Sequence, residues 1–337
     1  LRIIQPEPLK FGGSGMAPAA FLSLVEQIST IDGSAGWVAA FGSANTYIAA
    51  LPEETQAQIY ACGPDQVYAG GLYPLRPATK VEGGYRVTGR WRFASGCKGA
   101  DWIGVGISID DGAGGPALAH MAVAPADQVR IIDNWHMLGM QGTGSHDTAV
   151  DAKFYAKDWI CARGAKGIFD DPLYRYPALA YQAQVHAAVN LGLARGALDL
   201  AIALTHGAKL MPGAKTLGDR AYFRTTIARD TAALEAARAY YYQSAEQAWA
   251  VLLAGDEIGL DLTNALRLSA SHAAHCATKV VQNCFRISGM AAAEQSHPMQ
   301  RLLRDAMVVT QHAALSEATF DQAGQILCGM AAPAGYP

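Results

Sequence analysis

The sequence predicts an α+β chain: helices first, a compact antiparallel β-barrel or sandwich in the middle, and an up-and-down four-helix bundle at the end. Three observations carry this reading. Apolar residues recur at helical spacing up to about residue 67. The period falls to two between about 68 and 157, then lengthens again from about 158 to 337 in long stretches joined by short loops. The same boundaries give three expected domains: 1–67, 68–157 and 158–337.

In the first zone, 19–29 and 36–51 have helical periodicity, with Asp32, Gly33 and Ser34 as the break and Ser34 as the expected N-cap of the second helix. Pro52, Glu53 and Glu54 open a third helix, with proline near the first position and acids at the positive end of the dipole. In the middle zone, 85–93 alternates aromatic or β-branched with polar residues, as a half-buried strand does, and Glu82-Gly83-Gly84 signals the preceding hairpin turn. Further strands are expected at 102–109, 117–124, 130–133 and 148–155. The last zone offers helical stretches at 178–205, 225–254, 260–287 and 299–327. Helices and strands do not alternate, so a Rossmann fold has little support, and Gly142-Thr143-Gly144-Ser145 lacks the strand–helix context of a dinucleotide fingerprint.

Composition narrows the functions. The 337 residues are 51% hydrophobic, enough for a large core, and the net charge of −3 without a basic block argues against a nucleic-acid partner. No apolar run reads as the roughly 20-residue span of a membrane helix. The six cysteines form no Cys-x-x-Cys pair and no zinc pattern, so free thiols in a reducing cytoplasm and no metal are expected. His272 and His275 lie close together without a carboxylate or cysteine partner and read as structural. The opening Leu1-Arg2-Ile3-Ile4 reads as if already inside an element, so residues upstream are expected.

Three segments carry a resemblance: GYRVTGRWRFASG at 84–96, WHMLGMQGTGS at 135–145, and FRISG at 285–289 followed by RLLRD at 301–305. In this order and spacing, after N-terminal helices and before a bundle, they resemble the acyl-CoA dehydrogenase superfamily over nearly the whole chain, lacking only the usual first helix. The branch follows from chemistry. The family's dehydrogenases take a proton α to a thioester with a carboxylate. That carboxylate sits eight positions beyond the Asp of the Arg-Asp pair, where this chain has Ala313, or on the first long bundle helix, where 172–198 holds no Asp or Glu. A base in reach contributes a factor of about 10²–10⁴. Glu294 is the other acid considered.

The chain is more similar to the two-component monooxygenases, the group D aromatic hydroxylases. That resemblance implies reduced FMN or FAD from a separate flavin reductase, molecular oxygen as co-substrate, and hydroxylation of an aromatic or related small molecule through a C4a-hydroperoxyflavin. It implies Ser95 and His312 as catalytic residues: Ser95 as a donor at the flavin edge, His312 as an acid or base of near-neutral pKa. It also implies flavin contacts from Gly71, Leu72, Phe93, Ser95, Gly96, Arg286 and Gly289, and a homotetramer in which a neighbour's Arg286 segment reaches the flavin. The family's basic residue after the first long helix corresponds to Lys209.

Each residue also has an ordinary reading. Ser95 is a turn former, His312 a core histidine on an apolar helix, Phe93 a core strand aromatic, and Arg286 a surface arginine. Trp102, Trp159 and Tyr240-Tyr241-Tyr242 read as packing, and His186 as a residue facing the expected pocket. An FAD-dependent acyl-CoA dehydrogenase and an inactive helical scaffold remain the alternative functions.

Overall fold

The structure is a computed structural model that describes residues 9–110, 118–206, 215–333 and 335–337. Lys209, and the first residue of the strand expected at 117–124, lie outside the described residues. Among the described residues four helices come first: α1 (Pro18–Ile31), α2 (Gly33–Ala40), α3 (Asn45–Ile48) and α4 (Glu53–Ile59). Seven strands follow: β1 (Tyr68–Val81), β2 (Gly84–Ala94), β3 (Trp102–Ile109), β4 (Leu118–Pro125), β5 (Arg130–Ile132), β6 (His146–Ala156) and β7 (Ile160–Ala162). The remainder is helical: α5 (Pro172–Arg175), α6 (Ala178–Ala203), α7 (Ala221–Leu253), α8 (Leu260–Ile287), α9 (Pro298–Val309) and α10 (Ala318–Leu327).

Two compact units emerge. Leu1–Ala17, Phe41–His136 and Gln141–Ala178 form the first, and Pro18–Ala40, Met137–Met140 and Leu179–Pro337 the second. The division at 67 and 157 is a proposal about folding domains, to be tested by limited proteolysis.

In the first unit the strand order is β5-β6-β2-β1-β3-β4-β7. β1 links the two halves of this arrangement: Ala78 to Val81 pair antiparallel with β2, while Tyr68 to Gly71 pair with β3. The β1–β3 pairing is parallel, whereas the sequence predicts antiparallel neighbours throughout. β1 itself escapes the period-two reading because Gly70, Gly71, Pro74 and Pro77 look like loop punctuation. The core between the strands holds Val87, Trp91, Ile103, Val105 and Ile107, all fully buried, and Trp91 Nε1 donates to the Gly106 carbonyl at 2.7 Å. A second cluster packs Leu51, Ile59 and Tyr68 with Cys161. Trp102 and Trp159 stack at 5.3 Å beside it, as packing residues.

In the second unit α8 packs against α7, α9 and α10, and α1 and α2 pack on each other. Asp32, not Ser34, caps α2: its Oδ1 accepts the Ala35 amide at 2.9 Å, and Ser34 is itself buried in the helix. The 36–51 stretch ends as a helix at Ala40, and a 3-10 turn runs from Phe41 to Ala44. The 299–327 stretch is two helices, not one, because the chain breaks after Val309 and resumes at Ala318. α6 is long and apolar enough to cross a membrane by length and composition, yet 78% of its most apolar window is buried inside the protein, as in a core helix.

Candidate active site

The first unit concentrates polar and aromatic groups at the end of β2. Its inward residues, Val87 and Trp91, put Phe93 on the core face by parity. Instead Phe93 is 48% exposed, Ala94 is buried, and the pairing with β6 shifts register between Trp91 and Ala94. The cause is a bulge: Phe93 holds φ +69°, a left-handed conformation that costs a non-glycine residue about 1–2 kcal/mol and turns its ring outward. The core reading of Phe93 is therefore corrected. Arg92 lies over the ring at 4.5 Å, and Trp135 meets it edge-on at 6.1 Å. Trp135 is held through its backbone, because the amides of Asn134 and Trp135 both donate to His146 Nδ1, at 3.1 and 3.2 Å. That nitrogen must then carry a lone pair, so the nearby Asp133 carboxylate, 3.2 Å away, forms no ion pair with this tautomer.

Two residues beyond the bulge, Ser95 is buried, and its amide donates to the Phe93 carbonyl at 3.0 Å. Its hydroxyl lies 2.7 Å from that of Ser145, which lies 2.6 Å from that of Thr143. All three are at most 5% exposed, and in both contacts either oxygen can donate. Gly96 follows at φ +71°, its amide donating to the Thr143 carbonyl at 2.8 Å. The Thr143-Gly144-Ser145 segment is thus what holds the Ser95 turn. Neighbouring Cys97 is buried, and burial pushes its thiol pKa up, away from nucleophilic use. On β1, a Cβ at Gly71 would sit 2.9 Å from the Arg92 carbonyl and 3.0 Å from Trp91 Cβ, so close strand approach already accounts for this glycine. Leu72 beside it is half-buried.

The second unit supplies a different cluster. His312 is not on a helix: it caps the 3-10 turn Ala313–Leu315, with Nδ1 accepting the Ala314 amide at 3.3 Å. His275 braces this turn, with Nε2 2.8 Å from the Leu315 carbonyl, which is its structural role. The His312 ring lies 4.4 Å from that of His186 on α6, and Trp37 on α2 packs on both, at 4.1 Å from His186 and 5.6 Å from His312. His186 Nδ1 is 2.7 Å from the Gln182 carbonyl, which can only accept, so this ring carries its proton on Nδ1. His312 has the opposite tautomer, with its proton on Nε2. Burial, and then the charge of His312, hold the His186 pKa well below the usual imidazole value. No sequence signal marks Trp37, which reads as one more apolar residue of a helical stretch.

Ala313, at the position of the dehydrogenase base, brings no carboxylate. Asp305 is buried and accepts the Met140 amide, and Arg304 donates to the Leu138 carbonyl at 2.9 Å. The Arg-Asp pair therefore clamps the 137–140 loop, and a Cβ at Gly139 would fall 2.4 Å from the Arg304 carbonyl. Glu294 is exposed at the end of the 3-10 turn Met290–Ala293. Arg286 and Gly289 are exposed around the end of α8, Gly289 at φ +75°. Tyr241 is core, its hydroxyl donating to the Gln184 carbonyl at 2.7 Å. Ser95 and His312 belong to different units.

The first unit fits a flat, hydrogen-bonding ring system such as a flavin. Phe93, exposed by a strained bulge with a guanidinium on its ring, offers an aromatic face, and the buried hydroxyl trio offers donors and acceptors at its edge.

Comparison with known proteins agrees in scale and kind. A family model described as "Acyl-CoA dehydrogenase, C-terminal domain" matches residues 184–317. An indole-3-acetate monooxygenase of Pseudomonas putida is 44% identical over 98% of this chain and 84% of its own length. The oxygenase component of an FADH(2)-dependent resorcinol hydroxylase from Rhizobium sp. is 30% identical, over 96% of this chain and 84% of its own length. Among solved structures, the 3-HSA hydroxylase from Rhodococcus sp. RHA1 matches with a TM-score of 0.89 at 26% identity, covering 97% of this chain and 86% of its own.

Proposed function

The chain belongs to the flavin-dependent, two-component monooxygenases built on the acyl-CoA dehydrogenase fold, and we propose that it hydroxylates an aromatic ring with Ser95 and His312 acting at the reacting atoms. It is an oxygenase component, using molecular oxygen and reduced flavin from a separate reductase on a small-molecule substrate. The dehydrogenase and idle-scaffold alternatives give way to this assignment.

The observation that carries the residue roles is the pairing of His312 with His186 and Trp37 beside Ala313, an acid–base group in place of a carboxylate. Bound reduced flavin, FMN or FAD, supplies the electrons and activates the oxygen. Phe93 holds a face of its ring system, and the Ser95 hydroxyl bonds its edge. Gly71, Leu72 and Gly96 lend backbone, and Arg286 and Gly289 come from a neighbouring subunit. His312 offers Nε2–H to the substrate, and that nitrogen takes a proton back only after donating its own. Trp37 keeps the imidazole pair dry on one side.

A homotetramer is the proposed assembly. Leu253, Met290 and Leu327 of the second unit are 62, 85 and 71% exposed, which suits a covered face. Light scattering tests it, and a monomer ends the idea. A cytoplasmic location is proposed from the free thiols.

Similarity to the Pseudomonas putida enzyme makes indole-3-acetate the first substrate to test. Incubation with a flavin reductase, FMN or FAD, NADH and ¹⁸O₂ should yield a product carrying one ¹⁸O atom. No oxygenated product across a panel of indoles and phenols, with either flavin, would rule out the aromatic substrate class.

A further inference from the structure

The end of α9, which leads into His312, is held by side chains from two other helices. Ala306 is among the last four residues of α9, whose carbonyls have no donor within the helix. The Gln311 and His312 amides meet the Val308 and Val309 carbonyls, at 3.0 and 3.1 Å. The Ala306 carbonyl is met from α8 and α6. The Thr278 hydroxyl on α8 lies 3.1 Å from it, and also 3.1 Å from the Ala274 carbonyl one turn back. Asn190 Nδ2 on α6 donates to the Thr278 oxygen at 2.8 Å and to the Ala274 carbonyl at 2.9 Å, and passes 3.3 Å from the Ala306 carbonyl. With the Asn190 protons on Thr278 and Ala274, the Thr278 proton serves Ala306. Asn190, Ala274 and Ala306 are fully buried, so losing one partner strands another polar group away from water.

This junction touches both members of the histidine pair through the backbone. His186 stands one turn before Asn190 on the same face of α6. His275 stands one turn before Thr278 on α8, and its Nε2 donates to the Leu315 carbonyl at 2.8 Å. His312 is thus bracketed from one face of α8, at Ala306 before it and at Leu315 after it. Asn190 ties the helix that carries His186 to the same point. We propose that Asn190 and Thr278 are positioning residues that fix the spacing of His186 and His312 and so aim the His312 imidazole at the substrate. The inference rests on the reading of His312 as the acid–base group. A displacement of about 1 Å at such a group costs on the order of a hundredfold in rate, so a staple that holds α6, α8 and α9 in register acts on the chemistry without touching the reacting atoms.

The experiment compares Asn190→Leu, Thr278→Val, Thr278→Ser and a control, Ser244→Ala, which removes a buried hydroxyl contact of 2.9 Å to Ser269 between α7 and α8. Each is made in wild type and in His312→Asn, and assayed with reduced flavin, oxygen and whichever indole or phenol the wild type hydroxylates. Asn190→Leu and Thr278→Val should lower kcat by about tenfold to a hundredfold with flavin dissociation constants unchanged. Thr278→Ser, which keeps the hydroxyl, should retain the wild-type kcat, as should Ser244→Ala. In His312→Asn neither Asn190→Leu nor Thr278→Val should lower kcat further, because they act through the imidazole already removed. Histidine ¹⁵N NMR of the flavin-free protein gives a reading apart from activity: the Nε2–H signal of His312 should shift in Thr278→Val and stay in Thr278→Ser. Should Asn190→Leu not fold, Thr278→Val, close to threonine in shape, carries the same test alone. An unchanged kcat in Thr278→Val, an equal loss in Ser244→Ala, or a further loss in the His312→Asn background would overturn the positioning role and leave His312 standing. If His312→Asn keeps the wild-type kcat, the reading of His312 fails, and the positioning role with it.

Discussion

His186 and His312 meet at a tilt with ring centroids 4.4 Å apart and carry opposite tautomers, one donating from Nδ1 to Gln182 and the other accepting on Nδ1 from Ala314. Burial keeps His186 neutral far below the usual imidazole range. The sign follows. The unfolded chain protonates this residue near pH 6.5 and the folded one does not, so stability is full above that pH and lost as pH falls through it. Chemical denaturation of His186→Gln should therefore show a shallower loss between pH 7 and 5 than wild type. Parallel curves for the two proteins would mean that His186 titrates normally.

His312→Asn should separate chemistry from folding. Asparagine can still accept the Ala314 amide and cap the turn, but it cannot hold a proton. Hydroxylation should fall by about 10²–10⁴-fold in kcat with flavin dissociation constants unchanged. An effect confined to KM would assign His312 to substrate binding alone.

The Arg-Asp pair makes a structural prediction. Asp305 accepts the Met140 amide, and Met140 holds φ +53°, so the carboxylate fixes a strained loop. Asp305→Ala strands that buried amide and should cost about 1–3 kcal/mol in denaturant unfolding. Asp305→Asn keeps an acceptor. Burial raises the Asp305 pKa, so the folded protein binds that proton more readily than the unfolded chain. Wild type therefore loses stability as pH rises through the raised pKa, and Asn does not. The stability of Asp305→Asn relative to wild type should increase with pH across that acidic range, and a flat difference would contradict the burial argument.

Periodicity found most of the fold because most elements are amphipathic or uniformly apolar over many residues. The 102–109 strand and the 260–287 helix emerge with the boundaries read from sequence. It failed where glycine and proline serve close packing, as in β1, and where a cap is decided by geometry, as at Asp32 against Ser34. The site was half legible. Motif order pointed to Ser95 and His312, but their partners are brought in by tertiary contact. Ser145 and Thr143 lie 50 and 48 positions from Ser95, and His186 and Trp37 reach His312 from separate helices. The 3-10 turn that takes His312 off its helix has no distinctive composition to announce it.

Phe93 allows a backbone test. In an ordinary strand, glycine is less stable than alanine by about 0.5–1 kcal/mol, because it has more freedom to lose. At Phe93 the order should reverse. The residue sits at φ +69°, which penalises any side chain with a Cβ by about 1–2 kcal/mol and spares glycine. Both Phe93→Ala and Phe93→Gly lose the same exposed ring, its contact with Arg92 and its edge on Trp135, so their difference isolates the conformational cost. Denaturant unfolding should find Phe93→Gly more stable than Phe93→Ala by roughly 1 kcal/mol. Flavin affinity should fall in both, because it depends on the ring. A glycine variant less stable than the alanine variant would mean that the bulge relaxes once the aromatic is gone, and that the ring itself holds the strand end in its left-handed turn.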